Sequence, residues 1–339
     1  MKIVYLVPGT LDVRGGVKRI VEYATKLAGR GHDVEIMCDE LTQPDWLPKN
    51  LYKGFKLSTM RDYATIETDV AIATGGRSAR RLARMINAKV KVYSVVMQES
   101  LNKPTIKHEK FIDRDQFLRD CYNQNWVYIA NSSWLKNLVE NEFKQKCHLI
   151  HGGVNHEIIK PLDGLRSDGV RCLVYGRSDG WKGGARSARA AELANKTLNN
   201  VEIISYGQSK GPVSSLPTQH HRIPEQNKLA SIYSSAHMFL QSSRFEGFCN
   251  TAFEAMACGT PVISTNIRGI EDFCIAEETC LMVPTDDEPA MADAIVRLAK
   301  DNLLWTKLRN NGLEMVKKFD WDTEMQKLEN VFSDALKMA

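Results

Sequence analysis

The chain of 339 residues is short of several features that would each assign it to a class. No apolar run reaches the roughly 18 to 20 residues that a membrane-spanning helix needs, so none is predicted. The opening Met1-Lys2-Ile3-Val4-Tyr5-Leu6-Val7-Pro8 is too brief for a secretory apolar core and runs straight into a glycine loop; it reads as a first β-strand. Eight cysteines form no CxxC pair and stand in no histidine-bearing ligand pattern, which points to buried, reduced thiols in a cytosolic protein rather than to disulfides or zinc. Cys274 and Cys280 are the nearest couple, and no bridge is expected there. No GxGxxG follows the first strand, which argues against a dinucleotide oxidoreductase. No short repeat or low-complexity tract interrupts the chain.

What is present is the balance of an ordinary globular protein, 43% hydrophobic and 25% charged, at a length that suits two domains better than one core. The net charge of +4 conceals an asymmetry: residues 1–150 hold 24 Lys/Arg against 17 Asp/Glu, a net +7, and the remainder hold 21 against 24, a net −3. A basic first half suits an anionic surface or a phosphate-bearing acceptor; an unevenly charged solvated surface is the alternative.

Short β-branched runs alternate with helical patterns in both halves. The predicted strands are Ile3–Val7, Val34–Cys38, Val70–Ala73, Val90–Val96, Val127–Ala130 and His148–Ile150, then Cys172–Tyr175, Val201–Ser205, Met238–Gln241, Pro261–Ser264 and Leu281–Val283. Apolar runs without strict alternation suit parallel strands covered on both faces. Val17, Ile20, Val21, Ala24, Leu27 and Ala28 follow helical spacing, with Gly29 and Gly31 as the stop. Such alternation predicts an α/β protein of two Rossmann-like doubly wound domains, with a polar linker near residues 155–170. Ligands then belong beyond the carboxyl ends of the strands, in a central cleft that the two domains face.

Three glycine-bearing stretches sit where that architecture puts ligands. Arg244-Phe245-Glu246-Gly247-Phe248-Cys249-Asn250-Thr251-Ala252-Phe253-Glu254 follows a strand and enters a helix that stops at Gly259. A loop delivering backbone N–H groups into a helix N-terminus is an anion site, and two glutamates eight positions apart suit a sugar hydroxyl at Glu246 and a ribose at Glu254. Two plainer readings stand beside this: Thr251 to Glu254 as a capping box, and Glu246 as a solvated loop acid. Gly176-Arg177-Ser178-Asp179-Gly180-Trp181-Lys182-Gly183-Gly184 places two cations on one loop after a strand, fit to stabilise a departing diphosphate without a metal, or else to be solvated. Gly15-Gly16 opens the first helix in the other half, where a simple tight turn explains it equally.

Taken together, these segments resemble the retaining glycosyltransferases of family four (glycosyl transferases group 1), which have the GT-B fold. The resemblance runs nearly end to end and is strongest from 171 to 285. The family's E-x7-E signature is similar to Glu246–Glu254, its Arg/Lys pair to Arg177 and Lys182, and its N-terminal glycine loop to Gly15-Gly16-Val17. Ala130-Asn131-Ser132-Ser133-Trp134, Gly152-Gly153-Val154-Asn155 and Pro224-Glu225-Gln226-Asn227-Lys228-Leu229 also look like family motifs. The resemblance implies an acceptor-binding domain over 1–155, a donor-binding domain over 156–320, and a C-terminal helix, 321–339, crossing back to the first; Met325, Leu328, Val331, Phe332 and Leu336 share its apolar face. It further implies transfer with retention from a UDP- or GDP-linked sugar to a glycan, lipid-linked or small-molecule acceptor. Glu246 would bind sugar hydroxyls, and the amides of Gly247, Phe248, Cys249 and Asn250 would line the sugar. Thr251 would hold a phosphate, Glu254 the ribose, and Arg177 with Lys182 the diphosphate. Gly16 and Gly176 would also contact donor, and the backbone at Pro224 would lie near the base. No cofactor and no metal are expected.

The chain departs from the family in places. Cys249 stands where glycine is common, and Arg268-Gly269-Ile270-Glu271-Asp272 replaces Gly-Gly-x-Pro-Glu. Where many members place a histidine near the sugar, this chain reads Met97-Gln98-Glu99, leaving Gln98 or Glu99 for that part and Gly15 as an acceptor contact. Arg77, Arg80, Arg81 and Arg84 form a basic stripe at helical spacing, suited to an anionic acceptor or membrane headgroups or to plain solvation; without interleaved aromatics it does not suit nucleic acid. Asp113-Arg114-Asp115 and Asp320-Trp321-Asp322 match DxD by chance. The expected location is the cytoplasm, with the inner membrane face open as a peripheral site. A silent nucleotide-sugar-binding protein and a glycoside hydrolase working through Glu246 and Glu254 remain the rival readings.

Overall fold

A computed structural model describes residues 1–11, 15–41, 53–61, 63–97, 114–177 and 180–339; Gln98, Glu99 and Asp113 lie outside them. The chain divides into two units, Met1–Gly152 with Trp321–Ala339, and Gly153–Asp320.

In the first unit β1 (Lys2–Val7), α1 (Gly15–Gly29), β2 (Asp33–Cys38), β3 (Lys56–Thr59), β4 (Thr68–Ala73), α2 (Gly76–Arg84), β5 (Ala88–Val95), α3 (Arg114–Tyr122), β6 (Val127–Ala130), α4 (Ser133–Glu142) and β7 (Cys147–Leu149) follow one another. The second contains β8 (Val170–Tyr175), α5 (Gly184–Leu198), β9 (Val201–Gly207), β10 (Thr218–Arg222), α6 (Gln226–Ser234), β11 (Met238–Gln241), α7 (Asn250–Ala257), β12 (Val262–Thr265), β13 (Cys280–Val283), α8 (Glu288–Lys300) and α9 (Asn302–Val316). Then α10 (Trp321–Met338) rejoins the first unit. The two sheets run β3-β2-β1-β4-β5-β6-β7 and β10-β9-β8-β11-β12-β13, every ladder parallel.

Both faces of each sheet are covered, which is why the strands read as unbroken apolar runs. In the first, Ile3, Tyr5 and Val7 pack with Val17, Val21 and Leu27 of α1 and with Trp321, Met325, Leu328 and Phe332 of α10. The alternate residues Val4 and Leu6 turn to Leu82 of α2 and Leu135 of α4. In the second, Leu173 and Phe239 face α6 and α7, while Cys172, Val174 and Leu240 face α5 and α8. All eight cysteines are buried and none is in a disulfide. Among the described residues no helix is long and apolar enough to cross a membrane.

The sequence predicts neither β3 nor β10. Both are edge strands with polar, largely accessible residues, so neither carries the apolar run that reveals a buried strand.

The last helix is held to α1 by more than its apolar face. Tyr23 and Trp321 meet edge-on, centroids 5.5 Å apart. Arg30 donates two hydrogen bonds to the Glu329 carboxylate, at 3.0 and 2.9 Å, and the His32 ring lies 2.8 Å from it. These bonds, Arg30 foremost, hold the Glu329 carboxyl below its ordinary pKa of 4.5. A depressed folded-state pKa means that this clasp contributes fully above pH 4.5 and is lost as the pH falls through the folded value. Glu329→Gln is therefore expected to cost about 1 kcal/mol or less at neutral pH and to flatten the acid-side loss of stability, as read by denaturant unfolding at a series of pH values. Identical acid dependence in both proteins would remove the clasp from the account.

Candidate functional site

In the second sheet the chain steps from β8 outward to β9 and β10, and from β11 in the other direction to β12 and β13, so the order reverses between β8 and β11. At such a reversal the two loops leave neighbouring strand ends on opposite courses and open a crevice. Those loops lead into α5, with residues 176–177 and 180–183 described, and into α7, over residues 242–249. They carry the two constellations that the sequence singles out.

The loops are sewn together. The Arg244 N–H donates to the Trp181 carbonyl at 2.9 Å, Ser242 Oγ donates to the Gly183 carbonyl at 2.5 Å, and Arg186 Nη2 donates to the Ser242 carbonyl at 2.8 Å. The Trp181 and Phe245 rings stack with centroids 4.6 Å apart and planes 9° from parallel. Gly183 makes this approach possible: its φ is +75°, and a Cβ there would fall 2.2 Å from the Ser242 carbonyl oxygen.

The charged centre lies between them. Lys182 Nζ donates to both oxygens of Glu246, at 2.6 and 2.7 Å, and sits 4.4 Å from the centroid of the Trp181 ring. Glu246 is only 5% exposed and accepts two further bonds at Oε1, from Gln241 Nε2 at 3.0 Å and Ser243 Oγ at 2.8 Å. The solvated-acid reading of Glu246 therefore fails, because the group lies out of water with protein donors on both oxygens. Arg177 is half-buried on the same loop as Lys182, one residue beyond Gly176.

Four residues on from Glu246 the loop has become helix. The capping box does not form: the N-cap of α7 is Cys249, without a side-chain cap bond. Glu254, 7% exposed, instead accepts from Tyr233 Oη at 2.9 Å. Between the two glutamates Phe248 turns its ring into the core against Phe253, Phe273 and Phe319. Burial pushes the Cys249 thiol up to about 12, so it stays neutral beside Thr251, whose Oγ1 is 3.5 Å from Gln241 Oε1. Pro224 stands half-buried between β10 and α6. The result is a buried carboxylate paired with a half-buried cation next to the positive end of a helix, an arrangement able to receive a polyanion and hydroxyl groups together.

The first unit repeats the topology. Its order reverses between β1 and β4; Gly15 and Gly16 open α1 after β1, and α2 follows β4. Arg77 and Arg84 on α2 are exposed, but Arg81 pairs with Asp39 at 2.7 Å. The predicted stripe is thus not a face of four uncompensated cations. Asp322 of the second DxD lies in the first turn of α10, 3.6 Å from Arg30 Nη1.

Sequence reasoning overlooks Gln241, Ser243, Tyr206, Tyr233 and Gly269. A polar triplet, Gln241-Ser242-Ser243, directly after an apolar strand was the available signal for the first two. Gly269 accepts from the Cys249 N–H at 3.0 Å, and a Cβ on it would fall 2.4 Å from the Glu246 carbonyl oxygen, a closeness only the folded chain reveals.

Residues 166–301 match the family described as Glycosyl transferases group 1. A D-inositol 3-phosphate glycosyltransferase from Catenulispora acidiphila is 28% identical over 219 residues, 57% of this chain and 52% of that protein. Sucrose-phosphate synthase from Spinacia oleracea is 32% identical over 119 residues, 34% of this chain and 10% of that protein. The chain thus spans about half or less of these curated relatives. Among solved structures, a sucrose-phosphate synthase from Thermosynechococcus elongatus superposes with a TM-score of 0.82 at 19% identity, covering 100% of both chains. The Anabaena protein HepE, in complex with UDP and glucose, superposes with a TM-score of 0.80 at 14% identity, covering 98% of this chain and 100% of its own. The fold is that of the GT-B glycosyltransferases.

Gly269→Ala is expected to push the Glu246 backbone aside and to lower stability by about 1–3 kcal/mol, as measured by urea unfolding. Unchanged stability would show that the turn yields freely and does not support Glu246.

Proposed function

We propose that the protein transfers a sugar, with retention, from a nucleoside-diphosphate donor bound to its second unit, where residues 166–301 match glycosyl transferases group 1. The observation that carries this reading is the Lys182–Glu246 pair at the β8/β11 reversal, beside the N-terminus of α7. A departing diphosphate gains negative charge on its bridging oxygen. Lys182, Arg177 and the helix end would stabilise that charge without a metal. Glu246, relieved of part of its bond to Lys182, would accept hydroxyls of the sugar, and Glu254 those of the ribose. The amides of Gly247, Phe248 and Asn250 and the Thr251 hydroxyl would line the sugar and a phosphate, the Cys249 N–H being held by the Gly269 carbonyl, with Gly176 as a further donor contact and the backbone at Pro224 toward the base.

In the retaining step the acceptor oxygen bonds to the anomeric carbon on the face the diphosphate leaves. The carbon–oxygen bond to phosphate breaks, and the leaving phosphate oxygen takes the acceptor's proton. No protein nucleophile is required. UDP and glucose beside HepE support a UDP-linked donor, with GDP as the second choice; the acceptor is a glycan, a lipid-linked sugar or a small molecule.

A thermal-shift series with UDP, GDP, ADP, TDP and their sugars tests the donor: one nucleotide is expected to stabilise the chain by about 2.7 kcal/mol at a hundred times its Kd. No shift with any of them would overturn the reading. Arg177→Ala is expected to lower kcat roughly 10²- to 10³-fold, as loss of one charge-stabilising donor does. Lys182→Ala should do the same and, by stranding Glu246, also cost about 3–5 kcal/mol of stability. Adding Glu246→Gln should restore the stability and not the turnover. Wild-type rates in both single variants would sink the electrostatic mechanism.

A further inference from the structure

Behind the donor loop lies a line of polar groups that the reading above does not use. Tyr233 of α6 is fully buried at 0% exposure, and Tyr206 of β9 is 6% exposed. Both sit in the apolar core beneath α7 with Leu173, Phe239 and Phe253. Tyr233 Oη donates to Glu254 Oε2 at 2.9 Å, and the two phenol oxygens are in a short hydrogen bond with each other. Each phenol has a single proton. Tyr233 spends its own on the carboxylate, so the bond between the phenols must be made by Tyr206, and the direction runs Tyr206 to Tyr233 to Glu254. Burial, with Glu254 next, pushes both phenols well above their ordinary pKa, so the protons that make the relay stay in place.

Three polar groups in such a core are costly unless they satisfy one another, and phenylalanine at 206 and 233 would fill the same space without that cost. The hydroxyls serve a group that must remain a well-aimed anion. We propose that Tyr206 and Tyr233 are positioning residues for nucleotide recognition: their relay fixes the rotation of the Glu254 carboxylate so that it meets the hydroxyls of the donor's ribose. This rests on the assignment of Glu254 to the ribose in the preceding subsection. A carboxylate free to rotate loses the directional bonds to a diol, while its distance from the diphosphate is unaltered. The effect therefore belongs to the ribose and not to the phosphates.

The test is calorimetric binding of UDP and of 2′,3′-dideoxy-UDP to the full chain, or of the GDP pair if the thermal-shift series selects guanine. The wild type binds the ribose form more tightly. Tyr233→Phe loses about tenfold toward the ribose form, the scale of one hydrogen bond to a charged group, and nothing toward the dideoxy form. Tyr206→Phe, which keeps the bond to Glu254 but removes its support, loses less in the same direction. In a Glu254→Gln background Tyr233→Phe leaves the ratio of the two affinities unchanged. Equal losses toward both ligands, or no loss, overturn the proposal, since loosening of the core lowers both alike. If Tyr233→Phe does not fold, the ratio in Tyr206→Phe decides. A wild type that binds both forms equally overturns the ribose assignment of Glu254 and this proposal with it. A wild type that binds no nucleoside diphosphate overturns the transferase reading itself.

Discussion

A carboxylate withdrawn from water is costly unless a cation and enough donors satisfy its oxygens. Glu246 meets that demand with Lys182, Gln241 and Ser243, and much of the second unit's local geometry follows. Lys182 comes from the loop after β8, and the other partners from the last residue of β11 and the segment that follows it, so the ion pair also joins two loops that the chain order sends apart. Gly183 and Gly269 are glycines because the backbones that carry this pair approach other backbone within 2.2 and 2.4 Å of where a Cβ would sit. The stacked Trp181 and Phe245 rings cover the same seam. In the transferase reading, ligand binding is then an exchange: Lys182 gives up a carboxylate for a diphosphate, and Glu246 takes sugar hydroxyls in return, so the cost of opening the pair is offset on both sides.

The topology decides where that exchange can occur. In a parallel sheet every strand ends at the same edge, and the helices that follow present their positive ends there. Only where the order reverses do two such loops part and leave a crevice. The chain uses this device once in each unit, with Gly15-Gly16 and α2 at the β1/β4 reversal and the ion pair at β8/β11. The electrostatics differ between them. Arg81 is compensated by Asp39 near the surface, whereas Glu246 is buried with a half-buried Lys182 against it. Folds of the same kind persist at 14% and 19% identity, as expected when the requirement is for apolar runs of the right length and a few glycines rather than for particular core side chains.

The amino-acid order by itself determined what depends on local pattern. Unbroken apolar runs identified the buried strands within a residue or two, helical spacing placed α1 and the apolar face of α10, and glycine-bearing loops after strands marked residues 176–184 and 244–254. It also singled out Lys182, Glu246 and Glu254, ionisable residues that the structure ties to protein partners at or behind these loops. It missed β3 and β10, because an edge strand has a solvated side and needs no apolar run. It left Glu246 and Glu254 open between site residues and ordinary loop and cap residues, because burial is a property of everything packed around a group. Only the tertiary structure decided that Glu246 is buried against Lys182, 64 positions away, that Glu254 accepts from Tyr233, and that Gly269 lies against the Glu246 backbone. Those contacts join residues far apart in the chain, and it is the parallel sheet, by bringing distant strand ends to one edge, that makes them neighbours.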